Sequence, residues 1–192
     1  WKSDGTKFFA PDGYGSYGRV IEYTASTAWD VSTLSATSAM TPGSAQQDPQ
    51  GIYVKPDGTQ MITVNTTYDR VYNYAMSTPW DLSTASFGGN TTDGFYVGTQ
   101  VSNPTGLIFN SSGTKMFIHS PTDIYQYTLS TAWDVSTASY DSISKSVTGS
   151  IKDSQWKTDG SKLYLVNNTG DTIDEYKGGI AGGMQWKEKG TT

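Results

Sequence analysis

Ser26-Thr27-Ala28-Trp29-Asp30-Val31-Ser32-Thr33-Leu34-Ser35 returns twice along the chain, as Ser77-Thr78-Pro79-Trp80-Asp81-Leu82-Ser83-Thr84-Ala85-Ser86 and as Ser130-Thr131-Ala132-Trp133-Asp134-Val135-Ser136-Thr137-Ala138-Ser139. The tryptophans stand 51 and 53 residues apart. A second element occurs four times: Ser3-Asp4-Gly5-Thr6-Lys7, Pro56-Asp57-Gly58-Thr59-Gln60, Ser111-Ser112-Gly113-Thr114-Lys115 and Thr158-Asp159-Gly160-Ser161-Lys162. A third follows it each time, as Val20-Ile21-Glu22-Tyr23, Val71-Tyr72-Asn73-Tyr74, Ile124-Tyr125-Gln126-Tyr127 and Ile173-Asp174-Glu175-Tyr176. A period near 50 residues marks a repeat architecture.

Each unit divides into four strands. The first is short, as in Gly51 to Val54 or Gly106 to Phe109, and ends at the Asp-Gly turn, which favours a tight hairpin. The second is Met61 to Val64, Met116 to His119 or Leu163 to Val166. The third carries the tyrosine pattern, as in Ile124 to Leu129, with an alternation that suits a half-buried strand. The fourth follows the Trp-Asp turn, Val135 to Val147 with a break. Four antiparallel strands per repeat is one propeller blade. The expected fold is therefore all-β, with four blades in a single repeat domain over 1–177, divided near 1–50, 51–104, 105–150 and 151–177. The fourth copy stops after Tyr176, and 178–192 is a Gly-rich tail, so the fourth blade is expected to be completed by that tail or by another chain. Trp1 falls inside a pattern that recurs at Trp156-Lys157-Thr158-Asp159-Gly160, which gives the expectation of a processed chain or a piece of a longer one.

The units Gly106-Leu107-Ile108-Phe109, Gly113-Thr114-Lys115-Met116 and Ile124-Tyr125-Gln126-Tyr127-Thr128-Leu129, followed by the Trp133-Asp134 turn, resemble a β-propeller-like repeat family of marine bacterial and bacteriophage proteins. The resemblance covers residues 1 to about 177 and implies a fold and a setting: a virion, or an extracellular or cell-surface assembly.

Composition removes several classes. The chain has 18 acidic and 13 basic residues, a net charge of −5, and only Arg19 and Arg70 as arginines, which leaves no basic surface for a nucleic acid. No apolar run approaches the length a membrane-spanning helix needs, so membrane insertion is not expected. With no Cys and one His, sites built on thiols or paired imidazoles are excluded. Asn167-Asn168-Thr169-Gly170-Asp171, with Asp174 and Glu175, lacks the EF-hand spacing, so no metal or other cofactor is expected.

Spacing separates scaffold from variable parts. The third-strand tyrosine precedes the tryptophan by six residues in each complete copy, whereas the distance from the hairpin turn to that tyrosine is 19, 17, 15 and 17. Trp29, Trp80 and Trp133 are expected as wedges between blades, and Asp30, Asp81 and Asp134 as Asx-type bonds to the turn backbone. The variable second-to-third loops hold Tyr14, Tyr17, Tyr68, Asp69, Arg70 and His119, aromatic faces beside short polar groups that suit a glycan or protein ligand. His119 is expected at the surface of such a loop. No nucleophile elbow and no carboxylate pair stands out, so no catalytic residue is expected.

The function that follows is a non-enzymatic structural or binding module of a virion, a phage tail, fibre or decoration protein. It would be multimeric with other assembly proteins and would touch a host surface through its loops. A secreted or cell-surface adhesin or filament subunit is the alternative. A propeller hydrolase or lactonase is the third reading, to be tested by metal analysis and at His119 and Asp171.

Overall fold

The computed structural model describes residues 1–12, 18–41, 48–87, 94–157 and 159–177. Its strands are β1 (Lys7–Asp12), β2 (Arg19–Ala25), β3 (Leu34–Met40), β4 (Pro49–Val54), β5 (Gln60–Asn65), β6 (Arg70–Met76), β7 (Ala85–Phe87), β8 (Phe95–Tyr96), β9 (Gly106–Phe109), β10 (Lys115–His119), β11 (Asp123–Leu129), β12 (Ala138–Ser146), β13 (Ile151–Trp156), β14 (Lys162–Asn167) and β15 (Thr172–Lys177). They form four antiparallel sheets: β1-β2-β3, β4-β5-β6-β7 with β8 also on β6, β9-β10-β11-β12, and β13-β14-β15. The chain divides into two compact units, Trp1–Val97 with the first two sheets and Gly98–Thr192 with the last two. The fourth sheet has three strands among the described residues, and the tail expected to complete it lies outside them.

The hairpin turn repeats because its chemistry is local. Gly5, Gly58, Gly113 and Gly160 sit at φ of 74°, 75°, 70° and 69°, where a side chain is disfavoured. In three copies the preceding aspartate closes the turn: Asp4, Asp57 and Asp159 accept from the backbone N–H of Thr6, Thr59 and Ser161 at 3.0, 3.0 and 2.9 Å. The hydrogen bond from Lys55, helped by those of Thr59, holds the Asp57 carboxyl down to about 2. The third copy has Ser112 at this place, and Asn110 substitutes, its Oδ1 accepting from the backbone of Thr114 and Lys115 at 2.9 and 3.0 Å.

The Trp-Asp turn then folds back onto the hairpin of its own sheet. Trp29, Trp80 and Trp133 adopt φ of 66°, 63° and 67°, a left-handed conformation that costs a non-glycine residue roughly 1–2 kcal/mol. Each backbone N–H donates to the hairpin glycine's carbonyl, at 3.0, 2.9 and 2.9 Å. Each indole lies on that glycine so closely that a Cβ there would come within 2.5, 2.1 and 2.1 Å of it. This lid is a contact common to all three. Trp80 also meets Phe9 of the neighbouring sheet, ring centroids 6.1 Å apart, while Trp133 meets Phe109 of its own. The following aspartates start a 3₁₀ turn: Asp30, Asp81 and Asp134 accept from the N–H of Ser32, Ser83 and Ser136 at 2.9, 3.0 and 3.0 Å.

Sheets pack face to face within each unit. In the first, Phe9 and Val20 bury against Met61, Tyr72, Tyr74, Met76 and Leu82. In the second, Ile108, Phe117 and Ile124 meet Ile151, Leu163, Leu165 and Tyr176, with Val147 and Trp156 beside them. β11 is not the half-buried strand that its alternation suggests. On β11 both Ile124 and Gln126 of one face and Tyr127 and Leu129 of the other are at most 5% exposed. A polar residue on this strand therefore faces a neighbouring sheet. Glu22 does so in the first unit: its carboxylate pairs with Lys7 at 2.6 Å and accepts from the Leu82 N–H of the second sheet at 2.7 Å.

Candidate functional site

Antiparallel order brings the second-to-third turn of each sheet to the same end as the segment that leaves it. These segments are joined by backbone hydrogen bonds. Val97 N–H donates to Asp69 at 2.9 Å, Val147 to Thr122 at 2.9 Å, Ile151 to Pro121 at 2.7 Å and Asn168 to Ser150 at 2.9 Å. In the second, third and fourth sheets a buried polar residue closes the turn. Asn65 Oδ1 accepts from Tyr68 N–H at 3.0 Å, Ser120 Oγ from Asp123 N–H at 3.1 Å, and Asn167 Oδ1 from Ser150 and Thr169 N–H at 3.0 and 2.9 Å. All stand seven residues after the hairpin glycine, a regularity in the sequence that the loop reading passes over.

In the second sheet this end gathers Tyr68, Asp69, Arg70 and Tyr96. Asp69 turns the corner at φ of 51°, and Arg70 opens β6 opposite Tyr96 of β8. The Arg70 guanidinium donates to the Gly94 carbonyl at 3.0 Å and lies 5.4 Å from the Tyr96 ring centroid. Tyr68 and Tyr96 are 43% and 51% exposed, so this end carries an aromatic rim open to solvent, with Tyr96 against the guanidinium. Such a rim can stack a sugar ring and bind its oxygens, or neutralise an anionic group. Tyr96 is absent from the candidates read from sequence because it lies in the connection to the third sheet. The Phe95-Tyr96-Val97 run was the signal for it. Arg19, the other arginine, pairs with Asp12 at 2.7 Å. Tyr14 and Tyr17 lie outside the described residues.

His119 corrects its expected surface position. It ends β10, is 2% exposed, and faces Gly106, where a Cβ would come within 2.2 Å of Nε2. Its Nδ1 lies 3.1 Å from Thr105 Oγ1, and burial lowers the imidazole to about 4. Val64, wholly buried, occupies the same place in the second copy, which marks the position there as a packing one. Above an ordinary histidine pKa of about 6.5 the ring is neutral whether the chain is folded or not. Below it the unfolded chain takes the proton more readily, so stability falls between about pH 6.5 and 4, by roughly 3 kcal/mol in all. His119→Val is expected to flatten that part of the stability profile, measured by thermal unfolding across the same range. An unchanged profile would assign the acid sensitivity to other groups.

The Asn167 to Glu175 segment is engaged internally. Asn167 Nδ2 donates to Asp174 at 3.0 Å, and Glu175 pairs with Lys162 at 2.9 Å. Among the described residues no three His, Asp or Glu side chains gather to hold a metal, and no helix is long and apolar enough to cross a membrane.

No protein-family model and no curated protein matches this sequence. Solved structures do. A provisionally named 6-phosphogluconolactonase from Bacteroides uniformis aligns over 97% of this chain and 54% of its own, with TM-score 0.60 and 12% identity. The periplasmic gluconolactonase of Pseudomonas aeruginosa aligns over 96% and 54%, with TM-score 0.55 and 12% identity. A second provisionally named 6-phosphogluconolactonase, from Bacteroides fragilis, aligns over 99% and 70%, with TM-score 0.58 and 14% identity. The fold is that of the β-propellers. This chain spans about half the length of the first two structures and more of the third. These matches overturn the expectation of a non-enzymatic virion or surface module, and with it the expectation that the chain is no enzyme: three propellers that align with 96 to 99% of the chain carry lactonase names.

Proposed function

We propose that this chain is part of a propeller hydrolase that opens the cyclic ester of a sugar acid. The observation that carries the reading is the alignment of 96 to 99% of the chain with structures named as lactonases. The rim at Tyr68, Asp69, Arg70 and Tyr96 is assigned to the substrate. Ring opening adds water to the ester carbonyl, breaks the acyl C–O bond, and returns a proton to the ring oxygen. Asp69 is the group that takes the proton from the attacking water, Arg70 offsets charge developing on the carbonyl oxygen, and the tyrosines hold the sugar face. Buried His119 serves packing.

The test is ring opening of gluconolactone and of 6-phosphogluconolactone, followed by acid release above the spontaneous rate. Arg70→Ala is expected to lower kcat/KM by about 100-fold, as the loss of a single transition-state donor does elsewhere. His119→Val is expected to leave activity intact. Absence of turnover on both lactones would end this reading. Equal loss in both variants would end the assignment of the rim.

A further inference from the structure

We propose that two copies of this chain associate through the exposed faces of their end sheets, the Trp29 turn of one copy seating against the Lys162–Glu175 pair of the other. The template for this contact lies inside the first unit. There, Lys7 and Glu22 on the first sheet grip the Trp80 turn of the second. Lys7 Nζ pairs with Glu22 at 2.6 Å and donates to the Trp80 carbonyl at 2.7 Å, and Glu22 Oε2 accepts from Leu82 N–H at 2.7 Å. Phe9 meets the indole, and the joint leaves Val20 and Leu82 at 0% and 1% exposure.

The fourth sheet carries the gripping half of this joint with no turn in it among the described residues. Lys162, Tyr164, Ile173 and Glu175 stand where Lys7, Phe9, Val20 and Glu22 stand in the first copy. The Lys162–Glu175 pair is already made at 2.9 Å. Ile173 is nevertheless 73% exposed and its cross-strand partner Val166 43%, whereas the equivalent pair Val71 and Val64 is wholly buried.

The first sheet carries the gripped half. Val31 follows its Trp-Asp turn and is 69% exposed, against 1% for Leu82 and 5% for Val135 at the same place. Trp29 is 57% exposed. Beside it, Phe8 and Tyr23 stay half-buried where the corresponding Met61 and Tyr74, Met116 and Tyr127, and Leu163 and Tyr176 are buried. One copy thus presents a gripping face and a gripped face that fit each other, a head-to-tail arrangement that closes only if the rotation returns to its start. Two copies are the fewest whose joints close on each other and leave neither face open. This inference is independent of the lactonase reading.

The experiment measures the mass of the full 192-residue chain in solution by light scattering, with two charge substitutions at well-exposed positions, Val31→Asp and Ile173→Asp. Circular dichroism confirms that both variants keep the strand content. The expected mass is twice the chain's 20.8 kDa. Each variant alone is expected to be monomeric, and an equimolar mixture of the two is expected to recover a dimer, because one intact joint remains. A parent chain that stays monomeric at every concentration would overturn the proposal and leave both faces to residues outside 1–177. A dimer indifferent to both substitutions, or a mass that grows without limit, would overturn it as well.

Discussion

Gly113→Ala is expected to cost about 3 kcal/mol of folding stability, and Gly160→Ala only about 1. The two glycines share a left-handed backbone, with φ of 70° and 69°, so the strain added by a side chain is the same for both. They differ in what lies above them. A Cβ on Gly113 would come within 2.1 Å of the Trp133 ring and must push the indole off its seat, breaking its contact with Phe109 at 5.4 Å. On Gly160 the same Cβ meets nothing within 4 Å. Urea unfolding of both variants reads the difference directly. Equal losses would mean that the indole contributes nothing to holding the hairpin.

Glu22→Ala is the second large effect, expected at about 3–5 kcal/mol, the range for removing one partner of a buried ion pair. The Glu22 side chain is 4% exposed and serves two sheets at once, through Lys7 on its own and the Leu82 N–H on the next. Removing it leaves a buried N–H without its acceptor and an ammonium beside an apolar joint. Glu175→Ala removes the corresponding carboxylate of the fourth sheet, where the side chains of the pair are 36% and 23% exposed. In a single copy that loss should stay below about 1 kcal/mol, since solvent screens the pair there. A cost for Glu22→Ala as small as that for Glu175→Ala would show that the joint is held by apolar contact alone.

What the sequence discloses and what it hides divide by range. The hairpin glycines, the aspartates that close their turns and the six-residue step from tyrosine to tryptophan act within a few residues, so each leaves a fixed pattern. Asn110 even shows how the turn survives where Ser112 replaces the aspartate. Glu22 and His119 look like solvent-facing polar residues because their partners lie on another strand or another sheet. Tyr96 escapes for a related reason: its place beside Arg70 depends on a connection whose length changes from copy to copy. The local half of the candidate site, Tyr68 to Arg70, could be read directly, and the half supplied by β8 could not.

The seating of each tryptophan on its own sheet's glycine bears on how the chain reaches this state. The paired residues are 24, 22 and 20 positions apart, at Gly5 and Trp29, Gly58 and Trp80, and Gly113 and Trp133. Loops of that size close at little entropic cost, so these contacts can form before any sheet finds its neighbour. Refolding watched by tryptophan emission should therefore begin with a fast phase that is insensitive to Glu22→Ala, followed by a slower one that is not. Collapse in this protein would proceed sheet by sheet, with the joints between sheets as the late and rate-limiting events.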